Sequence, residues 1–350
     1  MGLVASSPSH PLVDGHLDLA YLGLMAATAP PGQPSRDLLS DLPPDARGCV
    51  TLPALRRAGV RLVCATIFTE SGASEAGNPV AYSGPDDVDG AALAGRRQLE
   101  WYQTLETQGA VRIVRHREDL PDVVAPTAPE GPLPMVILME CADPIRDPAD
   151  AAWWVERGVR MVGLSWARGS RYSGGNGQPG PLNGLGREMV AALDELGVIH
   201  DVSHLSDQSF DDLLACARGP VVASHSNCRS ITGESQRHLR DDQIRAIAAR
   251  GGVVGLNLYG RFLVAGRRAT LADAVAHVRR VAELGGPQTP ALGSDLDGGF
   301  GPGDLPVDLD RPERLPTLVA EVHRAGVDAR AFAWGNWMRV LSHAFQCGPA

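Results

Sequence analysis

The first chemically informative feature of this chain is a histidine and an aspartate two residues apart, in an apolar run over residues 13–19. In an extended strand, residues two apart project from the same face, so His16 and Asp18 converge on one point. An imidazole and a carboxylate that converge at a strand end make half of a site for a divalent metal ion. Because a single His-x-Asp pattern is weak, its interpretation depends on what the other strand ends carry.

Four later apolar runs also end in side chains that can bind metals. Taken singly, a glutamate at a strand end is usually a helix cap or a solvated side chain, and a lone histidine is usually a hydrogen-bonding core residue. Five strands that all end in this way predict one shared metal site instead. The residues that follow the later runs are Glu140, His204, His225, and Asp295 with Asp297.

The number of ligands predicts two metal ions. Two divalent ions about 3.5–4 Å apart need a bridging anion, and Glu140 is the carboxylate on a central strand. His16 and Asp18 would complete the coordination of one metal, and His204 and His225 would complete that of the other. Nitrogen and oxygen ligands without thiolate fit zinc best, with manganese and cobalt as alternatives. A hydroxide held between the ions is a nucleophile at neutral pH, because metal binding lowers the pKa of water from 15.7 to about 7.

The chain contains no lysine, because all 32 of its basic residues are arginine. This absence excludes a Walker-type phosphate loop, a Schiff-base lysine, a pyridoxal-phosphate enzyme and a metal bridge formed by carbamylated lysine. The bridge between two metals must therefore be a carboxylate.

Composition limits the classes of binding partner and the cellular compartment that we expect for this protein. A net charge of -9 argues against nucleic acid as a partner, and no apolar run reaches the roughly 20 residues that span a bilayer. Without a secretory signal, and with six cysteines that form no CxxC pair, we expect a cytoplasmic protein with reduced thiols and no membrane partner. The oligomeric state is left open, with a homodimer among the alternatives.

The order of the predicted elements indicates a barrel. Strand and helix patterns alternate over about eight units, which is typical of a single (β/α)8 TIM-like barrel domain over residues 1–350, with the metal site at the carboxyl ends of the strands. The competing doubly wound sheet lacks a GxGxxG after its first strand. The predicted strands are 11–17, 60–68, 135–139, 159–165, 198–203, 220–224, 252–257 and 290–294. The predicted helices are 91–108, 149–156, 186–196, 207–217, 240–249 and 271–284, followed by terminal helices over 331–345.

Across essentially its whole length, the chain resembles the membrane (renal) dipeptidase family of zinc peptidases. The matching elements are Asp14-Gly15-His16-Leu17-Asp18, Glu140, Asp201-Val-Ser-His204, Ser224-His225-Ser226, Arg237 with Asp241-Asp242, Asn257-Leu-Tyr259, Gly293-Ser-Asp295-Leu-Asp297-Gly298 and Gly335-Asn336.

The resemblance implies a TIM-like barrel with two zinc ions bridged by Glu140. It also implies that Arg237 holds the terminal carboxylate of the substrate and that Asp295 handles protons and the free amine. Tyr259 and Trp166 are further candidates for substrate contact. A guanidinium is the natural clamp for a carboxylate, and an acid beside the metals can pass a proton to a leaving amine.

One position departs from the family pattern. Family members carry a histidine after strand four, expected near the developing oxyanion, whereas this chain reads Gly163-Leu164-Ser165-Trp166. Trp166 cannot carry a positive charge, although its indole N–H can donate one hydrogen bond. Arg168, Arg171 and Tyr172 are the neighbours that could substitute.

The predicted activity is therefore that of a metal-dependent dipeptidase acting on small substrates with a free carboxylate. Two alternatives are kept: a hydrolase of another small amide, including a tailoring peptidase for a natural product, and a barrel that has lost catalysis. The sequence leaves open the side-chain and stereochemical preference, the native metal and the oligomeric state.

Overall fold

The structure is a computed structural model that describes residues 10–27, 37–42, 48–72, 78–125 and 131–347. The first nine residues, which bear on the expectation of no secretory signal, lie outside the described residues. All eight predicted strands are present, and six of them end one or two residues before the predicted limit. The strands of the described chain are β1 Leu12–Leu17, β2 Val60–Ile67, β3 Glu70–Ser71, β4 Ala81–Tyr82, β5 Val111–Ile113, β6 Leu133–Met139, β7 Val159–Gly163, β8 Ile199–Asp201, β9 Val221–Val222, β10 Val254–Leu256 and β11 Pro290–Leu292.

The central sheet is parallel, which confirms the predicted α/β class. It runs in the order β1-β2-β6-β7-β8-β9, with β5 paired to the start of β6, and β10 pairs with β11 in a second parallel sheet. A parallel bridge between Ala223 and Val254 connects β9 to β10. On the other side, the backbone N–H of Asp295 donates to the His16 carbonyl at 3.1 Å, so the chain just after β11 adjoins β1.

Helices follow most of the strands, as parallel crossovers require. The six predicted helices are all present within three residues of their expected ends. Four glycines, each two residues after the end of a helix, adopt φ between 68° and 105°: Gly59, Gly158, Gly197 and Gly251. The helices described are α1 Leu19–Ala27, α2 Leu52–Arg57, α3 Val88–Thr107, α4 Ala151–Glu156, α5 Gly184–Glu195, α6 Asp207–Cys216, α7 Arg229–Thr232, α8 Asp241–Ala249, α9 Gly260–Leu263, α10 Leu271–Gly285, α11 Leu315–Arg324 and α12 Asn336–Cys347.

Two apolar clusters hold these layers together. The larger lies where strand residues such as Val63 and Ile137 meet the helices, and the smaller gathers alternate strand residues such as Leu62 and Val136. Trp337 of α12 belongs to the smaller cluster and donates its indole N–H to the Leu292 carbonyl at 2.7 Å. Gly15 is required beneath this ring, because a Cβ there would lie 2.1 Å from it.

Two further expectations can be compared with the structure. Among the described helices, none combines the length and apolar character needed to cross a bilayer. The five cysteines whose side chains are described, Cys49, Cys64, Cys141, Cys216 and Cys228, are all free thiols.

Candidate metal centre and its surroundings

The five predicted metal ligands lie at or just beyond the carboxyl ends of their strands. His16 belongs to β1 and Asp18 follows it, Glu140 follows β6, and His204 and His225 lie three residues beyond β8 and β9. All five residues are at most 9% exposed. The strands thus bring together side chains that are far apart in sequence.

Glu140 lies between two pairs of these residues. One carboxylate oxygen, Oε2, is 3.7 Å from His16 Nε2, which is itself 3.8 Å from Asp18 Oδ1. The other oxygen, Oε1, is 3.2 Å from His204 Nε2 and 3.4 Å from His225 Nε2. The two oxygens of one carboxylate therefore face the two groups of ligands that were predicted for two separate metals.

The contacts at this site are those expected of side chains that could hold metal ions. His16 Nε2 and Glu140 Oε2 are buried and have no hydrogen-bond partner among the described residues, although buried polar atoms are normally paired. The Nε2 atoms of His204 and His225 face each other at 3.0 Å. Ligand atoms of His16, Asp18 and Glu140, and of Glu140, His204 and His225, lie within 4.8 Å of one another. This donor set of imidazoles and carboxylates fits divalent metal ions.

Burial perturbs the pKa values of all of these groups. Burial raises the pKa of Asp18 to about 6, although a hydrogen bond from Thr66 opposes that shift. Burial also raises the pKa of Glu140 well above its ordinary value, and the nearby charge of Asp18 adds to the effect. Burial lowers the pKa values of His16, His204 and His225, and the charge of Arg237 lowers them further, after that of His16 in the case of His225. Cations at the centre would favour the carboxylate and neutral imidazole forms that bind metals.

Asp201 is a residue of the site to which the sequence assigned no role of its own. It is buried beneath His16 and His225, and its Oδ1 accepts backbone N–H groups from Ser203 at 3.0 Å and Ser224 at 2.9 Å. These bonds hold the turns that carry His204 and His225. The Asp-x-Ser-His spacing is the sequence signal that could have identified it.

Arg237 is buried beside the metal ligands. It donates from Nη2 to the His225 carbonyl at 2.7 Å and from Nη1 to Ser226 Oγ at 3.2 Å, and its guanidinium lies over the Phe262 ring. Its Nε is buried with no acceptor in the described part of the chain. Burial lowers the pKa of Arg237, while the charges of Asp295 and Glu140 raise it.

Asp295 also adjoins the centre, in a backbone conformation that L-residues rarely adopt. Its φ is 56°, and His204 has a φ of 66°, so two proposed site residues adopt left-handed backbone. Asn257 donates to Asp295 Oδ2 at 2.8 Å, and the Asn257 Oδ1 accepts the backbone N–H of Tyr259 at 2.7 Å. Burial raises the pKa of Asp295 well above its ordinary value, and the charge of Asp18 raises it further.

Not every acidic residue of these motifs faces the site. Asp297, at φ 62°, accepts the backbone N–H groups of Cys49 and Val50 at 2.8 and 2.7 Å. Asp14 accepts the backbone N–H and the hydroxyl of Ser294. Both carboxylates therefore join distant segments of the chain.

Trp166 forms a neutral aromatic wall beside the ligands. Its ring centroid is 5.9 Å from that of His204 and 5.2 Å from that of Phe68, which in turn meets Tyr21 edge-on at 5.7 Å. Tyr259, on the segment after β10, stacks on Phe300 with centroids 4.5 Å apart. Trp166 and Tyr259, the two residues predicted to contact the substrate, thus belong to two separate aromatic groups.

The three neighbours of Trp166 that could have replaced a histidine are engaged elsewhere. Arg171 donates to the carbonyls of Asp143, Ile145 and Arg146. The buried Tyr172 hydroxyl donates to the Ile145 carbonyl, and Arg168 donates to the Ser71 carbonyl at 3.1 Å. None of the three contacts the His204 side chain in the described structure.

Comparison with known proteins establishes the family. The family described as membrane dipeptidase, peptidase family M19, matches residues 6–348, so the chain belongs to this family of peptide-bond hydrolases, as the sequence predicted. An uncharacterised Klebsiella pneumoniae protein encoded in the pqqA 5' region is 36% identical over 204 residues, which cover 54% of this chain and 73% of that protein. An uncharacterised dipeptidase of Schizosaccharomyces pombe is 33% identical over 143 residues, which cover 40% of this chain and 33% of that protein.

A solved structure agrees with this assignment. The crystal structure of dipeptidase AC, a metallopeptidase of family M19, superposes with a TM-score of 0.79 at 26% identity. The superposition covers 96% of this chain and 99% of that one. The chain is thus similar over its length to a metallopeptidase.

Proposed function

We propose that this protein is a metal-dependent dipeptidase that uses two divalent metal ions, with zinc as the native metal. The single observation that carries the proposal is the arrangement around Glu140, whose two carboxylate oxygens face two separate groups of ligands. Its Oε2 faces His16, and its Oε1 faces His204 and His225. His16 Nε2 and Glu140 Oε2 are buried without a hydrogen-bond partner in the described part of the chain, which supports the same conclusion.

In this proposal His16 and Asp18 would hold one ion, His204 and His225 would hold the other, and Glu140 would be a ligand shared by both. Bound ions of this kind would lower the pKa of water and supply a nucleophile at neutral pH. The contribution of the protein is to keep the imidazoles neutral and the site dry, which burial at 9% exposure or less provides.

The substrate would lie between Arg237 and Asp295. Arg237 is buried and has an Nε–H without an acceptor among the described residues, so it can bind the terminal carboxylate of a dipeptide. Asn257 occupies Oδ2 of Asp295 and so leaves Oδ1 to accept a proton or contact the free amine. Trp166 and Tyr259 would contact the remainder of the substrate.

We further propose that residues 1–350 form a single (β/α)8 barrel with the metals at the carboxyl ends of its strands. Two contacts support closure of the eight main strands: the bridge from Ala223 to Val254, and the hydrogen bond from Asp295 to His16. In such barrels the loops after the strands form the active site.

The proposal is tested by metal content and turnover together. Purified protein reconstituted with zinc should hold two ions per chain and hydrolyse members of a panel of L,L- and L,D-dipeptides. Glu140→Gln should lower both metal content and kcat, because a neutral amide bridges metals poorly. The exposed Glu188→Gln is the matched control and should leave both unchanged. One ion or none per reconstituted chain would contradict the proposal.

A second function, hydrolysis of another small amide or tailoring of a peptide natural product, is favoured by one observation. The neutral wall formed by Trp166 and Phe68 lies where the family pattern has a histidine. Including N-acyl amino acids and cyclic dipeptides in the panel separates the two functions. Faster turnover of these compounds than of every dipeptide would support the second.

A further inference from the structure

We propose that Ser224 is a positioning residue shared by the two metal sites, because its single hydroxyl orients one histidine of each. This inference rests on the proposed dinuclear centre. Ser224 is fully buried and is the residue immediately before His225.

The geometry around this hydroxyl is compact. Ser224 Oγ lies 3.0 Å from His16 Nδ1 and 2.8 Å from His225 Nδ1. The two imidazoles are stacked, with ring centroids 3.5 Å apart and planes at 25°. Because both rings contact the same oxygen through Nδ1, both direct Nε2 towards Glu140, at 3.7 Å for His16 and 3.4 Å for His225.

The protonation states of the two histidines determine which groups donate and which accept hydrogen bonds around Ser224. An imidazole that binds a metal through Nε2 carries its proton on Nδ1 and donates it. With both histidines in that form, Ser224 Oγ accepts two hydrogen bonds and must donate its own hydrogen elsewhere. Ser203 Oγ lies 3.3 Å away and can accept it, while the Asp201 carboxylate accepts the backbone N–H groups of both serines. The buried Asp201 thus holds the backbone that carries the two hydroxyls.

Asp18 and His204, by contrast, each have a hydrogen-bond partner that contacts only one of the two proposed metal sites. The Thr66 hydroxyl donates to Asp18 Oδ1, on the side of one metal. Asn176 Oδ1 lies 2.9 Å from His204 Nδ1, on the side of the other. Thr66→Val and Asn176→Leu should therefore each disturb one site, whereas Ser224→Ala should disturb both.

The experiment is a stepwise titration of metal-free protein with Zn²⁺ against a chromophoric chelator, with Co²⁺ spectra as a second readout of ligand geometry. Ser224→Ala should weaken both binding steps by roughly 10–100-fold, the usual effect of removing a hydrogen bond to a metal-bound histidine. Thr66→Val and Asn176→Leu should each weaken one step. The exposed Ser230→Ala is the matched control and should bind both ions as wild type does.

Several outcomes separate this inference from the proposed function. If wild type binds fewer than two ions, the dinuclear centre itself is wrong. If wild type binds two ions but Ser224→Ala weakens one step or neither, the shared role of Ser224 is wrong. Should Ser224→Ala fail to fold, Ser224→Cys replaces the hydroxyl with a weaker hydrogen-bonding group of similar shape. It should still weaken both steps, and normal binding of both ions would overturn the inference.

Discussion

Replacement of Arg237 tests most directly whether this enzyme recognises a terminal carboxylate. The guanidinium is buried, contributes two hydrogen bonds to the His225 carbonyl and Ser226 Oγ, and has an Nε–H with no acceptor among the described residues. A buried cation with an unused donor needs an anionic partner, and the substrate carboxylate would be that partner. Arg237→Met retains the apolar stem beside Phe262 and removes the charge.

The magnitude follows from the hydrogen bonds that are lost. A hydrogen bond to a charged group contributes about 1.5–3 kcal/mol, so kcat/KM for a dipeptide should fall by roughly 10- to 150-fold or more. The same substitution should matter little for a dipeptide whose carboxyl terminus is amidated. Arg237→Lys should restore part of the loss, because lysine supplies a point charge without the planar fork.

The assay is kcat/KM for each dipeptide and its C-terminal amide, in wild type, Arg237→Met and Arg237→Lys. Arg245→Met is the matched control, since that arginine is exposed on α8. Zinc content is measured for every variant, because Arg237 contacts the His225 carbonyl. Equal losses on the acid and the amide, with metal content intact, would refute the carboxylate clamp.

Two further predictions concern carboxylates with different roles. Asp295→Asn should leave metal content nearly intact and lower kcat by roughly 10²–10⁴-fold, the usual contribution of a positioned acid–base group, and a variant with near-normal turnover would exclude Asp295 as the proton carrier. Asp194 is outside the site: burial raises its pKa, but hydrogen bonds from His200 and the backbone of Arg218 and Gly219 lower it to about 2. Because that pKa lies below its ordinary value of 3.8, the stabilisation is present above about pH 4 and is lost as the pH falls through about 2. Asp194→Asn should therefore lower the free energy of unfolding by about 2 kcal/mol at pH 7, and urea titrations should show the difference shrinking below pH 4; a constant difference would contradict this.

The placement of the proposed ligands was predictable because it depends on local sequence. Each follows an apolar run, and parallel strands place their carboxyl ends on one edge, so residue type and distance from the strand end sufficed for His16, Glu140 and His225. The alternation of strands and helices was readable for the same reason. Strand β5, Val111–Ile113, was not predicted, since three residues give too short a pattern and its pairing with β6 is a tertiary contact.

The supporting residues were not predictable in this way. Ser224 is 208 residues from His16, and its role arises only when β1 and β9 are brought together. Thr66 and Asn176 are ordinary polar residues in sequence and acquire meaning through one contact each. The left-handed backbone at His204 and Asp295 likewise depends on tertiary contacts, because local preference disfavours it in both.

Trp166 shows how far family membership specifies function here. The five proposed metal ligands lie together at the carboxyl ends of their strands. In the proposed function the wall beside His204 would face the substrate, and here an indole replaces a group that can carry charge. Because Arg168, Arg171 and Tyr172 are committed to carbonyl groups, no described neighbour restores that charge. If the substrate lies against this wall as proposed, its recognition there would depend on apolar contact and at most one indole N–H, so substrate choice would differ from that of relatives with a histidine.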